Sequence, residues 1–355
     1  SDFVVYPRSG VEHERTSYRL ARGPEGRVLL VSGDASGFEG QWRGDTLVAP
    51  LSAGNAARLR GRLPWLCPQP LGLKRSLGSG DRLGLATPGH LRAVARANDA
   101  GSAATSGLSA VTIIPAQQSM RENARTGRSP QQVLDDAMWG IFQEGWRGPW
   151  GADADHLKTT DDIDLCVAAG YTFYTVDPGE HVDGEAHTAP LERLREKVGA
   201  LPWRDLDDSA EALAARYLGR SYDLPGLSLE FDETSLLRAA AKYGGAIAHT
   251  ARMFRHAATA MGSRPFELEV SVDETDTPTS PLEHLIIASE LRRLEVRWVS
   301  LAPRYPGRFE KGVDYIGDLA ALDGELAHHA AIARALGPYK LSIHSGSDKF
   351  SVYPF

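Results

Sequence analysis

From residue 81 onward, short apolar runs of strand length alternate with longer stretches of helical periodicity, a pattern that commits a chain to a parallel sheet with crossover helices. The predicted strands are 82–86, 110–114, 152–156, 171–176, 266–272, 297–301 and 340–344. Helix starts are marked between them. Ser129-Pro130-Gln131-Gln132 puts a hydroxyl at the N-cap, proline at the first helical position and Gln at N3, and Ser280-Pro281-Leu282-Glu283 repeats the device with Glu. Val133, Leu134, Ala137, Met138, Ile141 and Phe142 then recur at helical spacing, as do Leu319, Leu322, Leu326, Ala330 and Ala333 before Gly337.

Seven such strands predict an α/β chain with a TIM-like (β/α)8 barrel whose eighth unit is missing from the sequence or irregular; a doubly wound parallel sheet is the alternative. Residues 1–80, with bursts such as Val28-Leu29-Leu30-Val31 between Gly- and charge-rich turns, read as a small β-rich region. Residues 81–355 then form the (β/α) barrel, with a helical insertion at about 178–264 where no strand pattern shows.

Several function classes drop out on composition. The 355 residues carry a formal net charge of −7, which argues against a partner as anionic as nucleic acid. No apolar run reaches the roughly 18 residues of a membrane span, and Cys67 and Cys166 fit no disulfide or CxxC framework, so the expectation is a cytoplasmic protein. Gly78-Ser79-Gly80-Asp81 precedes a predicted strand instead of following one, so it fails the dinucleotide pattern, and no Walker A run exists; no nucleotide cofactor is expected. The oligomeric state is left open.

In a barrel of this kind reactive groups sit past the C-terminal ends of the strands. There the sequence places His90; Gln117 and Gln118; Asp155, His156 and Lys158; Asp177; Glu267 and Glu269; Arg304 and Arg308; and His344, Ser345 and Lys349. His156, Glu269 and His344 fall at alternate strands, whose side chains share one layer of a barrel interior. Two imidazoles and a carboxylate suit a divalent cation such as Zn, Mn, Ni or Co with positions open for a chelating ligand, against the blander reading of three separate core or loop residues. Asp155, beside His156, is a candidate for proton transfer or merely a capping carboxylate. Glu267 shares a face with Glu269, which makes it a second acid/base candidate. Lys158, Arg304, Arg308 and Lys349 are candidates to hold a ligand carboxylate, each also readable as surface charge. His90, Gln117, Gln118, Asp177 and Ser345 complete the expected substrate contacts.

Four blocks carry a family resemblance. Gln117-Gln118-Ser119-Met120-Arg121-Glu122-Asn123, Trp150 to Thr159, Glu269-Val270-Ser271-Val272-Asp273-Glu274-Thr275 and His344-Ser345-Gly346-Ser347-Asp348-Lys349 resemble the tagaturonate epimerase family, over roughly residue 81 to the end. The resemblance implies a TIM-like barrel, a divalent metal and interconversion of D-tagaturonate and D-fructuronate. The Asp155-His156 pair and the run 344–347 are similar to metal-dependent class II aldolases, which implies metal ligation by His156 and His344 and proton transfer by Asp155. Those two sugar acids differ at a carbinol β to both ketone and carboxylate, whose C–H neither group acidifies. Two routes remain, transient oxidation of that carbinol by a nicotinamide, which the missing dinucleotide pattern disfavours, and retro-aldol cleavage with re-addition, which is the expected chemistry. The alternatives are a metal-dependent sugar-acid aldolase, a fructose/tagatose 4-epimerase and a non-catalytic carbohydrate-binding barrel.

Overall fold

A computed structural model describes residues 3–103 and 110–355. By contact density the chain divides into two compact units, one holding the residues up to Asp155 together with Asp164–Tyr174, the other His156–Ile163 with Thr175–Phe355.

The first unit opens with an antiparallel sheet: β1 (Val4–Val5), β2 (Val11–His13), β3 (Thr16–Gly23), β4 (Gly26–Ser32), β5 (Gln41–Arg43) and β6 (Thr46–Pro50). The strand order is β1-β3-β4-β6-β5, with β2 also on β3. Register pairs Tyr18 with Val31 and Leu20 with Leu29, and Val31 with Leu47 and Leu29 with Ala49. All six side chains are buried, so the two-residue alternation puts one sheet face in the core. Helix α1 (Ala53–Arg62) follows, capped by the Ser52 hydroxyl.

The second sheet runs through β7 (Ser76–Gly78), α2 (Thr87–Ala103), β8 (Thr112–Gln117), α3 (Met120–Thr126), α4 (Pro130–Glu144), β9 (Trp150–Leu157), α5 (Thr160–Ala169) and β10 (Phe173–Val176). After an insertion it continues through β13 (Glu267–Ser271), α9 (Pro281–Arg293), β14 (Ser300–Ala302), α10 (Leu319–Leu336) and β15 (Lys340–Leu341). The order β7-β8-β9-β10-β13-β14-β15 follows the sequence without reversal, and β7/β8, β8/β9, β13/β14 and β14/β15 pair in parallel. A doubly wound sheet needs a reversal at a switch point, so that alternative is excluded. The path is open at β7 and β15, and a complete eight-stranded barrel does not form among the described residues.

Six predicted strands overlap observed ones; the first does not. The 82–86 segment is a loop, and the first parallel strand is β7, which lies before residue 81. The cause is Asp81, whose carboxylate accepts from the backbone N–H groups of Leu83 (3.2 Å), Ala86 (2.6 Å) and Thr87 (3.0 Å) and winds the segment into the start of α2. The two predicted caps form as full capping boxes, Ser129 with Gln132 and Ser280 with Glu283, and α4 buries its whole expected apolar set.

The insertion carries α6 (Leu191–Gly199), α7 (Ala210–Tyr217), β11 (Ser221–Leu224), β12 (Leu227–Glu230) and α8 (Glu233–Met261). The β11/β12 hairpin corrects the all-helical expectation. Its turn is Pro225-Gly226, with Gly226 at φ 76°, a proline-then-glycine signal readable in the sequence. Tyr217, Leu229 and Phe231 bury against α8 residues Leu236, Ala239 and Ala240, which explains why so short a hairpin holds. No helix among the described residues is long and apolar enough to cross a membrane.

Burial alone raises the Asp81 pKa, but the surrounding backbone N–H groups outweigh it and hold the carboxyl below its ordinary value of 3.8. Asp81→Asn should therefore cost about 2 kcal/mol of stability at pH 7 in urea unfolding. Because the folded-state pKa is depressed, the wild-type advantage is complete above the ordinary carboxyl range and shrinks as pH falls through and below 3.8.

Candidate active site

The site of interest lies in the second unit, past the C-terminal ends of β9, β13 and β15. His156 sits in β9 with φ 53°, a left-handed conformation that breaks strand alternation and costs about 1–2 kcal/mol in a non-glycine residue. Its ring lies 4.9 Å from that of His344. Ser345, directly after His344, is left-handed too, at φ 52°. Glu269 is on β13 and Asp273 two residues beyond its end.

His344 is held by both carboxylates. Its Nε2 is 2.6 Å from Glu269 Oε1 and its Nδ1 is 3.3 Å from Asp273 Oδ1. Burial lowers the imidazole's pKa, yet the bonds to Asp273 and Glu269 and their charges raise it well above 6.5, so the ring is an imidazolium here. In turn Asp273, raised by burial but bonded to His344, is brought down to about 2. Ser271 Oγ donates to Asp273 and lies 3.4 Å from His344 Nδ1. His156 Nε2 is 3.9 Å from Asp273 Oδ1 and 3.8 Å from Glu274 Oε1.

Two sets of ligand-type atoms lie mutually within 4.8 Å among the described residues: His156, Asp273 and His344, and His156, Asp177 and Glu274. The carboxylate grouped with both imidazoles is thus Asp273, and Glu269 reaches only His344. Asp177 is buried, accepts from the Gly179 N–H at 2.9 Å and lies 3.9 Å from Lys158 Nζ, which also bonds Glu180 at 2.9 Å. Burial raises its pKa despite the Gly179 bond and the nearby His156 and Lys158. The donor chemistry of the first set, two imidazoles and a carboxylate, fits a borderline divalent cation.

The loop after β13 is pinned from three sides. Thr279 Oγ1 accepts from the Arg304 backbone N–H at 3.0 Å and bonds Tyr243 Oη at 2.9 Å. The fully buried Lys242 donates to Pro278 O and Glu283 Oε2, each at 3.1 Å. Arg304 donates to Thr275 O (3.3 Å) and Tyr305 O (3.1 Å). On the far side of Asp177, His181 and His249 stack at 4.1 Å. Arg252 is 2.7 Å from His249 Nδ1; a guanidinium only donates, so that nitrogen is an acceptor and the ring neutral, in line with a pKa lowered by burial, His181 and Arg252 to about 4.

Other expected contacts land elsewhere. Glu267 is the buried first residue of β13, two positions before Glu269, and belongs to neither ligand-type group. Lys349, 1% exposed, donates to the carbonyls of Glu310 (2.7 Å), Val313 (2.7 Å) and Ser347 (3.0 Å), which uses all three of its protons. Arg304 is committed to loop carbonyls as described, and Arg308 is exposed beside Glu310 at 3.6 Å. In the first unit, Gln118 bonds Thr126 and Arg128, and His90 is in the first turns of α2, lining a surface cavity with Tyr6, Arg27 and Arg92. Gln117 ends β8 and packs over Gly78, where a Cβ would meet its amide at 2.7 Å. Asp155 is half-buried on β9, and Ser345 half-buried beside His344.

A model of the tagaturonate epimerase family matches residues 6–355. The tagaturonate/fructuronate epimerase of Thermotoga maritima is 42% identical over 360 aligned residues, covering 99% of this chain and 70% of that protein. Crystal structures of the fructuronate-tagaturonate epimerase of Cohnella laeviribosi, native and with one glycerol, superpose with a TM-score of 0.89 at 38% identity, covering 99% of this chain and 69% of theirs.

Sequence reasoning gave Asp273, Glu274 and Glu180 no role in the site, although Asp273 and Glu274 stand just past the C-terminal end of the strand that carries Glu269, a signal open to reading. Lys349 supplies the sharper test. Lys349→Met strands three carbonyls and should lower stability by about 2–4 kcal/mol in denaturant unfolding. If the ammonium instead clamped a ligand, the variant would unfold like wild type and lose only ligand affinity.

Proposed function

The chain belongs to the tagaturonate epimerase family, an isomerase family acting on sugar acids, and we propose that it interconverts D-tagaturonate and D-fructuronate with a divalent cation held by His156, His344 and Asp273. The observation that carries the chemical half of this reading is the convergence of those three side chains within 4.8 Å. When bound, such a cation supplies Lewis acidity that polarises a ketone oxygen.

The remaining work falls to the chain's own groups. The inverted carbinol has no acidified C–H, so its hydroxyl proton is removed while the bond to the neighbouring carbon breaks, leaving an aldehyde on one fragment and the electron pair on the other. The aldehyde turns its second face to the pair, the bond re-forms, and the proton returns to oxygen. Asp155 is the candidate to take and return that proton. Lys158, the candidate cation that lies beside Asp177, holds the substrate carboxylate, with Glu180 as the partner it exchanges. Asp177, fixed by the Gly179 N–H, and Ser345 orient hydroxyls. Glu269 keeps His344 in place through its 2.6 Å contact.

The assay is turnover of D-fructuronate by chelator-treated protein with and without added Mn, Zn, Ni or Co. Activity should return with metal, and His156→Ala, His344→Ala and Asp273→Ala should each lower kcat/KM by about 100-fold or more, whereas Glu267→Gln should change it less than tenfold. In D2O the inverted carbon should carry no solvent deuterium. Deuterium there sinks carbon-carbon cleavage; accumulating free aldehyde makes the chain an aldolase; turnover of fructose in place of fructuronate makes it a ketohexose epimerase.

A further inference from the structure

The first unit contains a cavity that the proposed chemistry does not use. Its walls are Tyr6 after β1, Arg27 on β4, Pro88, His90 and Arg92 in the first turns of α2, and Gln143 near the end of α4. The volume is about 450 Å³, within the roughly 300–1,000 Å³ of small-molecule sites and more than a bare inorganic anion fills. Among the described residues no acidic side chain lines it, although the chain as a whole carries a formal net charge of −7.

The two guanidiniums keep donors to spare. Each has five N–H groups. Among the described residues Arg27 spends one on Gly84 O at 3.3 Å, and Arg92 one on Glu144 Oε1 at 2.5 Å. Glu144 also holds Arg8 at 3.3 Å, so one carboxylate answers two arginines and the wall keeps an excess of positive charge. The same bonds fasten β4 to the loop before α2, and α2 to α4, which sets both cations in place before a ligand arrives. His90 adds an imidazole whose buried Nδ1 has no hydrogen-bond partner, Gln143 a side-chain amide, and Tyr6 and Pro88 apolar surface.

We propose that this cavity binds a small hydroxylated organic anion, a sugar acid or a sugar phosphate, with its anionic group against Arg27 and Arg92. A guanidinium fork matches the paired oxygens of a carboxylate or a phosphate. The ligand's hydroxyls are served by His90 and Gln143, and its carbon skeleton covers Tyr6 and Pro88. An inorganic anion leaves that apolar wall uncovered, and a neutral sugar leaves the charge unanswered. The site uses no metal and none of the residues gathered around His156 and His344, so it stands or falls apart from the epimerase reading. It gives the N-terminal sheet, through Arg27, a part in ligand binding.

The test is calorimetric titration of the full chain with D-gluconate and D-glucose 6-phosphate, beside inorganic phosphate for the charge alone and D-glucose for the skeleton alone. Wild type should bind at least one of the two organic anions, and the tighter of them names the source. Inorganic phosphate and glucose should bind about tenfold or more weakly. Arg27→Gln removes the charge and keeps a donor for Gly84 O; it and Arg92→Ala should each weaken binding of the organic anion about tenfold or more. Arg125→Ala, which removes an exposed arginine outside the cavity, should leave it within about twofold. Should loss of the Glu144 pair keep Arg92→Ala from folding, Arg27→Gln carries the test alone. Failure of both organic anions to bind wild type overturns the proposal, as does wild-type affinity in Arg27→Gln or in folded Arg92→Ala. Inorganic phosphate or glucose binding as tightly as the organic anions overturns it too, as does an equal loss in Arg125→Ala.

Discussion

The candidate site is organised by one imidazolium shared between two carboxylates. Glu269 lies on β13 and Asp273 in the loop that follows it, yet each closes on a different nitrogen of His344, at 2.6 and 3.3 Å. An isolated buried charge of either sign would be prohibitive, and the trio satisfies itself only as a set.

Backbone geometry brings the second imidazole in. His156 occupies a left-handed conformation within a strand, and Ser345 does the same next to His344, so both histidines are presented by main chain that ordinary residues avoid. Such strain persists only where surrounding structure over-determines it. Here the supports are visible: Lys242, Thr279, Tyr243 and Arg304 tie the loop after β13, while Lys349 ties the carbonyls of 310, 313 and 347 on the His344 side. Two cations that sequence alone offers to a ligand, Arg304 and Lys349, are fasteners in the structure, bonded to loop carbonyls.

That division explains what could be read beforehand. Period and caps made α4, α9 and six strands legible, because those depend on local bonds such as Ser129 to Gln132 and Ser280 to Glu283. The 82–86 segment misled because its apolar spacing is strand-like while one carboxylate, Asp81, gathers its amides. His156 and His344 were legible from their places at strand ends. The grouping of Asp273 with both was not, since it depends on how far past β13 the chain runs before turning, and Lys349 resembled a ligand clamp until its three carbonyls came into view.

Two histidine pairs show how fully the neighbours decide the chemistry. His284 and His329 are buried as completely as any residue in the chain, with their Nδ1 atoms 2.8 Å apart, so that contact holds a single proton between two neutral rings. Burial drives both pKa values down, that of His329 to about 4, and the nearby carboxylate, Glu325, stands 3.9 Å off. The better-ordered arrangement passes donors one way, from Tyr339 O–H to His284 Nε2, from His284 Nδ1–H to His329 Nδ1, and from His329 Nε2–H toward Glu325. His344, half-buried, goes the opposite way, because two carboxylates stand at bonding distance in place of one at arm's length. Burial without a close carboxylate leaves a histidine neutral, as between α9 and α10; paired carboxylates at bonding distance make it a charge store.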